Sequence, residues 1–422
     1  MLILLSTALT YLIIKRNLNK ILMNSILSDR INNMEESATL AMAKKARELK
    51  TQGIDIIGLS LGEPDFKTPK HIQEAAKSAV DEGKYFSYPP VAGYQDLREA
   101  IAKKLREQNN ISEAKAENIV VSTGAKHSIA NIFMCLINEG DEVVIFSPYW
   151  VSYSEVIKLA GGVPVLIEGN LENNFKATAQ QLQEAITDKT KAVIYSSPCN
   201  PSGSVFSKAE LEAIAEVIKA NENLLVIADE IYELINFTGS HASIASFPGM
   251  FERTITVNGF SKGYAMTGWR VGYICAPLFI AKACEKIQGQ FTSGGTGIAQ
   301  RAALAGLIGD QKPTEEMAAA YLKRRDLVLE LLRDIPGIKT HVPEGAFYFF
   351  PDVSAFFGKS AGGQVIETAD DFCLYVLKEA NVSLVTGAAF GAPHSVRLSY
   401  AASEAELKEA LKRIKEVLAK LN

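Results

Sequence analysis

From about residue 54 the chain alternates short apolar runs with amphipathic stretches. The runs 119–122, 142–146, 163–167, 192–196 and 224–228 are β-rich and nearly continuous in apolar character, which predicts strands covered on both faces. Residues 54–61 read as a further strand, and 254–257 and 271–275 as two more. Helical stretches lie between them. Thr68-Pro69 offers a hydroxyl N-cap and a first-turn proline for one helix, and Gly83 closes it. Thr123-Gly124-Ala125 opens a second helix directly after a strand, and Ser207-x-x-Glu210 is a capping box for a third. This β-α-β order predicts an α/β fold with a mostly parallel sheet wrapped by helices. Ligands of such sheets bind at the carboxyl ends of the strands. Beyond about Gly309 the pattern changes. A long charged helix near 314–333, strands near 345–350 and 396–400, and a last helix after the capping box Ser403-x-x-Glu406 predict a second, smaller α+β domain.

The amino terminus stands apart. Residues 1–14 are almost wholly apolar and are followed by Lys15, Arg16 and Lys20. The run is shorter than the roughly 20 residues that span a bilayer. Its charge follows rather than precedes it, and no small-residue cleavage site comes after, unlike a secretory signal. Residues 1–22 therefore read as an extension outside the fold, with a weak membrane anchor as the alternative.

Composition narrows the function classes. The chain has 422 residues, 47% of them hydrophobic, and a net charge of −4. That is ordinary globular composition, with no basic excess to suggest nucleic acid as a partner. The five cysteines are scattered and never form a C-x-x-C pair, which argues against a disulfide framework or zinc site and fits a reducing cytoplasm. The five histidines show no metal-ligand spacing.

Candidate chemistry concentrates where the strands end. The segment 258–273, NGFSKGYAMTGWRVGY, sets Lys262 among small and apolar residues, with Arg270 eight positions later. Such surroundings disfavour the ammonium form and free the amine for Schiff-base chemistry. The segment 224–230, LLVIADE, delivers Asp229 at a strand end, where a helix cap or loop role is equally open. SSPCNPSG (196–203) presents Asn200 in a turn that Asn-Pro-Ser-Gly would make in any case. Thr123-Gly124-Ala125-Lys126 offers free N–H groups and a positive helix end suited to phosphate, a feature shared by many glycine-rich helix starts. VRLSY (396–400) places Arg397 on an apolar strand, where it needs an anionic partner, either structural or substrate.

Taken together and in this order, these segments resemble the class I aminotransferases of pyridoxal-phosphate fold type I, most closely the bacterial aspartate aminotransferase subgroup. The likeness extends from about Met34 to the end. It also rests on LSLGEPDF (59–66), YPPVAGYQDLREA (88–100), STGAKHS (122–128), SPYWVSY (147–153) and ADEIYE (228–233). The resemblance implies a mostly parallel seven-stranded sheet and a division into an N-terminal arm with part of the small domain (23–68), a large cofactor-binding domain (69–313) and a small C-terminal domain (314–422). It implies pyridoxal 5'-phosphate as cofactor, joined to Lys262 as an aldimine, with the same lysine shuttling the proton. Asp229 would pair with the ring nitrogen, Asn200 and Tyr232 with the phenolic oxygen, and Trp150 would stack on the ring. Ala125, Lys126 and Arg270 would hold the phosphate, and Tyr88 would reach it from the other subunit of a homodimer. Arg397 and the backbone of Gly62 would take the substrate α-carboxylate. Lys126, with Ser37 and Thr39, would take a second carboxylate. One departure is Gly259, where many relatives carry a phosphate-binding serine, so that Ser261 or another group must compensate.

The implied reaction is ping-pong transamination between L-aspartate and 2-oxoglutarate in the cytoplasm, with no nucleic-acid or membrane partner. Its competitors on the same scaffold are an aminotransferase with aromatic, prephenate or alanine preference and a C–S lyase. A regulator with an aminotransferase-like domain would need an added DNA-binding domain, and the stretch before Met23 is too short for one.

Overall fold

The computed structural model describes residues 26–422, so the apolar run 1–14 lies outside the described residues and the extension 1–22 with it. The described residues divide into two units, one ending at Glu36 and the other Ser37–Asn422. The described part of the first holds one helical turn, Asp29–Asn32.

The second unit is built on a seven-stranded sheet: β2 (Ile119–Ser122), β3 (Glu142–Ser147), β4 (Val163–Glu168), β5 (Thr190–Ser196), β6 (Leu225–Asp229), β7 (Thr254–Gly259) and β8 (Gly272–Cys275). Their spatial order is β2-β8-β7-β6-β5-β3-β4. All pairings are parallel except those of β8, which runs antiparallel to both β2 and β7. All seven strands fall on the apolar runs. The central strands are buried along nearly their whole length, as two-sided cover requires. The edge strand β4 departs from that expectation, with Val163 and Leu166 exposed, whereas the other edge strand, β2, is buried throughout.

Helices cover both faces. The side chains of Val120, Ile145, Ile194 and Ile227 pack with Ile129, Phe133 and Ile157 on one face. Val144, Val193 and Val226 pack with Leu211, Ile214 and Ile218 on the other. The helices needed below are α1 (Ala38–Thr51), α2 (Lys70–Glu82), α3 (Gln95–Gln108), α4 (Ala125–Leu136) and α5 (Ser152–Leu159). The capping box at Ser207 forms as expected. Thr68 does not cap α2. Its hydroxyl donates to the Ala265 carbonyl at 2.6 Å, and the helix starts one residue later, after Pro69. Gly83 closes α2 in the left-handed conformation, φ 67°.

The run 54–61 is not a member of the large sheet. Only Ile57–Gly58 (β1) is regular, pairing in parallel with Val382–Ser383 (β10). Residues 57–58 are thereby tied to the C-terminal region. There the long helix Lys312–Arg333 and the last helix, Glu404–Leu418, pack around a three-stranded sheet of β9 (Tyr348–Phe349), β11 (Val385–Thr386) and β12 (Val396–Ser399). Ser403 and Glu406 close the expected capping box.

Candidate active site

The carboxyl ends of β2, β3, β5, β6 and β7 open on one cavity of about 340 Å³. It gathers Ser37, Thr39, Gly62, Ala125, Lys126, Trp150, Asn200, Asp229, Tyr232, Lys262, Arg270 and Arg397 in its wall. Twelve of the thirteen residues singled out from the sequence thus meet in one place. The thirteenth, Tyr88, is 95% exposed and stands outside the wall.

The Lys262 Nζ donates to the Gly62 carbonyl at 2.6 Å and stands over the Tyr232 ring at 5.7 Å. Burial first, then the nearby Arg397, lowers its pKa to about 8, so a sizeable share of neutral amine exists near neutral pH. Asp229 is the last residue of β6, 4% exposed. Burial pushes its carboxyl up to about 6, against the Tyr153 hydroxyl, which donates to Oδ2 at 2.5 Å, and the Ile231 N–H. Tyr153 was not singled out from the sequence. It sits on α5 three residues after Trp150, where a tyrosine reads as an ordinary core position.

Arg397 is 1% exposed and lies between the rings of Tyr348 and Phe390, 4.7 and 4.9 Å from their centroids. Its Nη1 donates to Asn200 Oδ1 at 2.8 Å and its Nη2 to the Ser60 carbonyl at 2.6 Å. Among the described residues Nε has no partner and no carboxylate pairs with this guanidinium. A guanidinium can only donate, so Asn200 must turn its amide oxygen to Arg397, which leaves its NH₂ as a donor for the cavity. The Tyr232 and Tyr348 hydroxyls share a hydrogen bond of 2.7 Å.

At the other end of the cavity α4 begins. Gly124 precedes it at φ 82°, and a Cβ there would come within 2.4 Å of Arg270 Nη2. Glycine is therefore required twice over, for the backbone conformation and for the approach of the guanidinium. Arg270 itself is left-handed (φ 56°) and donates to the Thr267 carbonyl, with no carboxylate partner among the described residues. The Lys126 Nζ lies 4.9 Å from the Trp150 ring centroid, its pKa lowered by burial and by Arg270. The buried Thr39 hydroxyl has no partner, and Ser37 makes no capping bond. Gly259 faces Gly272 across β7–β8, and a Cβ there would lie 2.9 Å from Gly272 Cα. A serine does not fit at 259, whereas Ser261 lines the cavity.

The wall carries four cations, Lys126, Lys262, Arg270 and Arg397, against two carboxylates, Glu63 and Asp229. Such a site suits an occupant with several anionic groups and a reactive carbon facing an amine. That defines an enzyme of phosphorylated-cofactor, lysine-centred chemistry. The comparisons agree. The family model "Aminotransferase class I and II" matches residues 54–414, and the chain belongs to that family. It is 45% identical over 390 residues to the aspartate aminotransferase of Geobacillus stearothermophilus, covering 92% of this chain and 98% of that one. A bifunctional aspartate and glutamate/aspartate-prephenate aminotransferase of Petunia hybrida is 42% identical over 411 residues, 96% of this chain and 85% of that one. Among solved structures, the aspartate aminotransferase of Rhizobium meliloti superposes with a TM-score of 0.90 at 40% identity, covering 94% of this chain and 99% of that one. The Thermus thermophilus enzyme with maleate gives 0.87 at 41% identity, covering 93% and 99%.

Pyridoxal 5'-phosphate is the cofactor of this family. The residues present fit it. The glycine cradle, the free N–H groups of the α4 start and the unpaired Arg270 suit a phosphate. Asp229 suits a protonated ring nitrogen, and Lys262 an aldehyde. Among the described residues no helix is long and apolar enough to cross a membrane.

Proposed function

We propose that this transaminase exchanges the amino group between L-aspartate and 2-oxoglutarate, giving oxaloacetate and L-glutamate in ping-pong order. The observation that carries this reading is that one cavity holds two cations besides Arg270 that no carboxylate among the described residues pairs with: Arg397 for the α-carboxylate, and Lys126, beside Ser37 and Thr39, for the second carboxylate. The solved Thermus thermophilus relative with maleate, a dicarboxylate, supports it.

In this reading the backbone N–H groups of Ala125 and Lys126, with Arg270 and Ser261, hold the cofactor phosphate, Trp150 covers its ring, and Asp229, oriented by Tyr153, keeps the ring nitrogen protonated. Bound pyridoxal phosphate supplies an electron sink for the Cα–H bond of the amino acid. The protein moves the proton. Lys262 Nζ, neutral in part because it is buried, would take the proton from the substrate Cα as general base and deliver it as general acid to the far carbon of the C–N–C unit, a 1,3-shift that leaves the nitrogen with the cofactor. Arg397 and Gly62 fix the α-carboxylate so that the Cα–H bond faces that amine, and the flanking rings of Tyr348 and Phe390 keep water from the guanidinium. Asn200 and Tyr232 donate to the phenolic oxygen. Tyr88, exposed in the single chain, completes the site of a second copy in a homodimer.

A matrix of amino donors against keto acceptors, run on purified protein, tests the substrate assignment. Aspartate with 2-oxoglutarate should give the highest kcat/KM. A preference for alanine, aromatic acids or prephenate would replace it, and keto acid released without any acceptor would mark a lyase.

A further inference from the structure

The turn that ends β6 presents its side chains to two sides. Asp229 and Tyr232 face the cavity, whereas Glu230 and Glu233 enter a buried polar cluster outside its wall. Glu230 is 1% exposed, and the side chains of Glu233 and His241 are 7% and 10% exposed. Lys104 of α3 pairs with Glu233 and donates to Asn109 Oδ1 at 2.8 Å. Asn109 Nδ2 lies 2.6 Å from Glu233 Oε2 and 3.4 Å from Glu230 Oε2. His241 Nε2 lies 3.0 Å from Glu230 Oε2. The other titratable groups facing the two carboxylates are Tyr195 from β5, Tyr264, and Tyr273 and Cys275 from β8, all held protonated by burial.

The charges do not balance unless His241 is protonated. Two carboxylates and one ammonium leave a net negative charge directly beside Asp229, in surroundings that screen it poorly. An imidazolium closes the balance. Burial works against that charge, but Glu230 and Glu233 outweigh it and hold the imidazole above its ordinary value. The oxygens and ring nitrogen of Glu230, Glu233 and His241 are close enough for a shared cation, and the Lys104 ammonium already fills that role on Glu233.

We propose that His241 is a positioning residue of this enzyme: as an imidazolium it offsets Glu230 and so keeps the adjoining Asp229 an anion, while the cluster anchors the turn 229–233 to α3. This rests on the assignment of Asp229 to the cofactor's ring nitrogen. With His241 neutral or removed, the uncompensated Glu230 raises the proton affinity of Asp229. An aspartate that takes up the proton no longer holds it on the ring.

The test is nitrogen NMR of holoenzyme loaded with ring-¹⁵N pyridoxal phosphate, whose shift reports ring protonation directly, followed against pH. His241→Gln should move the shared proton from the ring toward Asp229, about tenfold in their ratio, so that the ring shift across the neutral plateau is displaced toward the unprotonated value. The double variant Glu230→Gln/His241→Gln should return that plateau toward wild type, which loss of packing alone would not do. An undisplaced plateau in His241→Gln, or no return in the double variant, overturns the proposal. Asp229→Asn is the control: if it leaves the ring shift unchanged, the assignment of Asp229 fails instead. In wild-type holoenzyme with labelled histidine, His241 should titrate above 6.5. Titration below that value overturns the proposal even if the variants do not fold.

Discussion

Replacing Lys126 by alanine separates a substrate role from a cofactor role. The ammonium sits in the first turn of α4, where the helix dipole disfavours a cation by about 0.3–1 kcal/mol. Burial and then Arg270 lower its pKa, and among the described residues no carboxylate pairs with it. The Trp150 ring at 4.9 Å contributes about 0.5–1 kcal/mol at a partly exposed site. That contact roughly offsets the dipole, while burial and Arg270 leave the charge unfavourable in the empty protein and available to an anion. A charge-assisted bond to the second carboxylate of aspartate is worth about 2–3 kcal/mol, or roughly 30- to 150-fold in kcat/KM. Alanine as donor has no such carboxylate and should lose less than about threefold. Maleate, which binds without reacting, should weaken by the same factor as aspartate. Steady-state kinetics with both donors and a maleate inhibition series measure all three. Equal losses for aspartate and alanine would refute the reasoning, because Lys126 would then serve only the phosphate.

Three further outcomes are expected. Lys262→Ala should abolish the adduct that borohydride traps between protein and pyridoxal phosphate, read by mass spectrometry; a persisting adduct would move the reactive amine elsewhere. Mixing Tyr88→Ala with Lys262→Ala subunits should restore activity through heterodimers carrying one intact site, and no recovery with heterodimers demonstrably formed would count against a shared site. The third concerns pH and stability. His341 is buried beside Phe175, and burial lowers its pKa to about 4 from 6.5. As pH falls below 6.5 the unfolded chain takes the proton first, so stability is lost between pH 6.5 and 4, by about 3 kcal/mol from this group. Urea unfolding of His341→Gln at pH 7 and 4.5 should show a loss smaller by that order, and parallel losses in the two proteins would contradict the shift.

The large sheet was legible because strands covered on both faces must be nearly continuous in apolar character, and five of its seven runs carried that signature, although β4 is partly exposed. Strand direction was not, since the antiparallel setting of β8 depends on the crossover between 259 and 272 rather than on composition. Thr68 carries the sequence of an N-cap, but a carbonyl of the distant 265 turn took its hydroxyl. The cavity residues were legible for a different reason. Ala125, Lys126, Trp150, Asn200, Tyr232 and Lys262 sit just past strand ends and Asp229 at one, where ligands of such sheets bind, whereas Ser37 and Thr39 at a helix start and Arg397 within a strand were named by the resemblance. Tyr153 lacked such a mark. The cluster of Lys104, Glu233 and His241 was invisible because its members lie more than 100 positions apart in part, and each alone reads as a surface charge.

The two sides of the β6 turn show why the site is stable with so much unpaired charge. On the cavity side the protein leaves Arg397, Arg270 and Lys126 without carboxylates, and burying a guanidinium that way costs several kcal/mol unless something repays it. Hydrogen bonds to Asn200 and Ser60 and the two flanking rings repay part of that cost for Arg397. None of these partners is anionic, so a carboxylate arriving there gains nearly its full Coulombic attraction. A structural Asp or Glu in its place would have stabilised the empty fold and weakened the substrate to the same extent. On the far side the charges are paired within the chain, and no anion from outside is needed. The difference follows from access: the cavity opens to solvent, and the cluster does not. The turn 229–233 joins them, so the protein spends its internal pairing on holding Asp229 and Tyr232 in place and keeps its unpaired cations for the ligands those residues await.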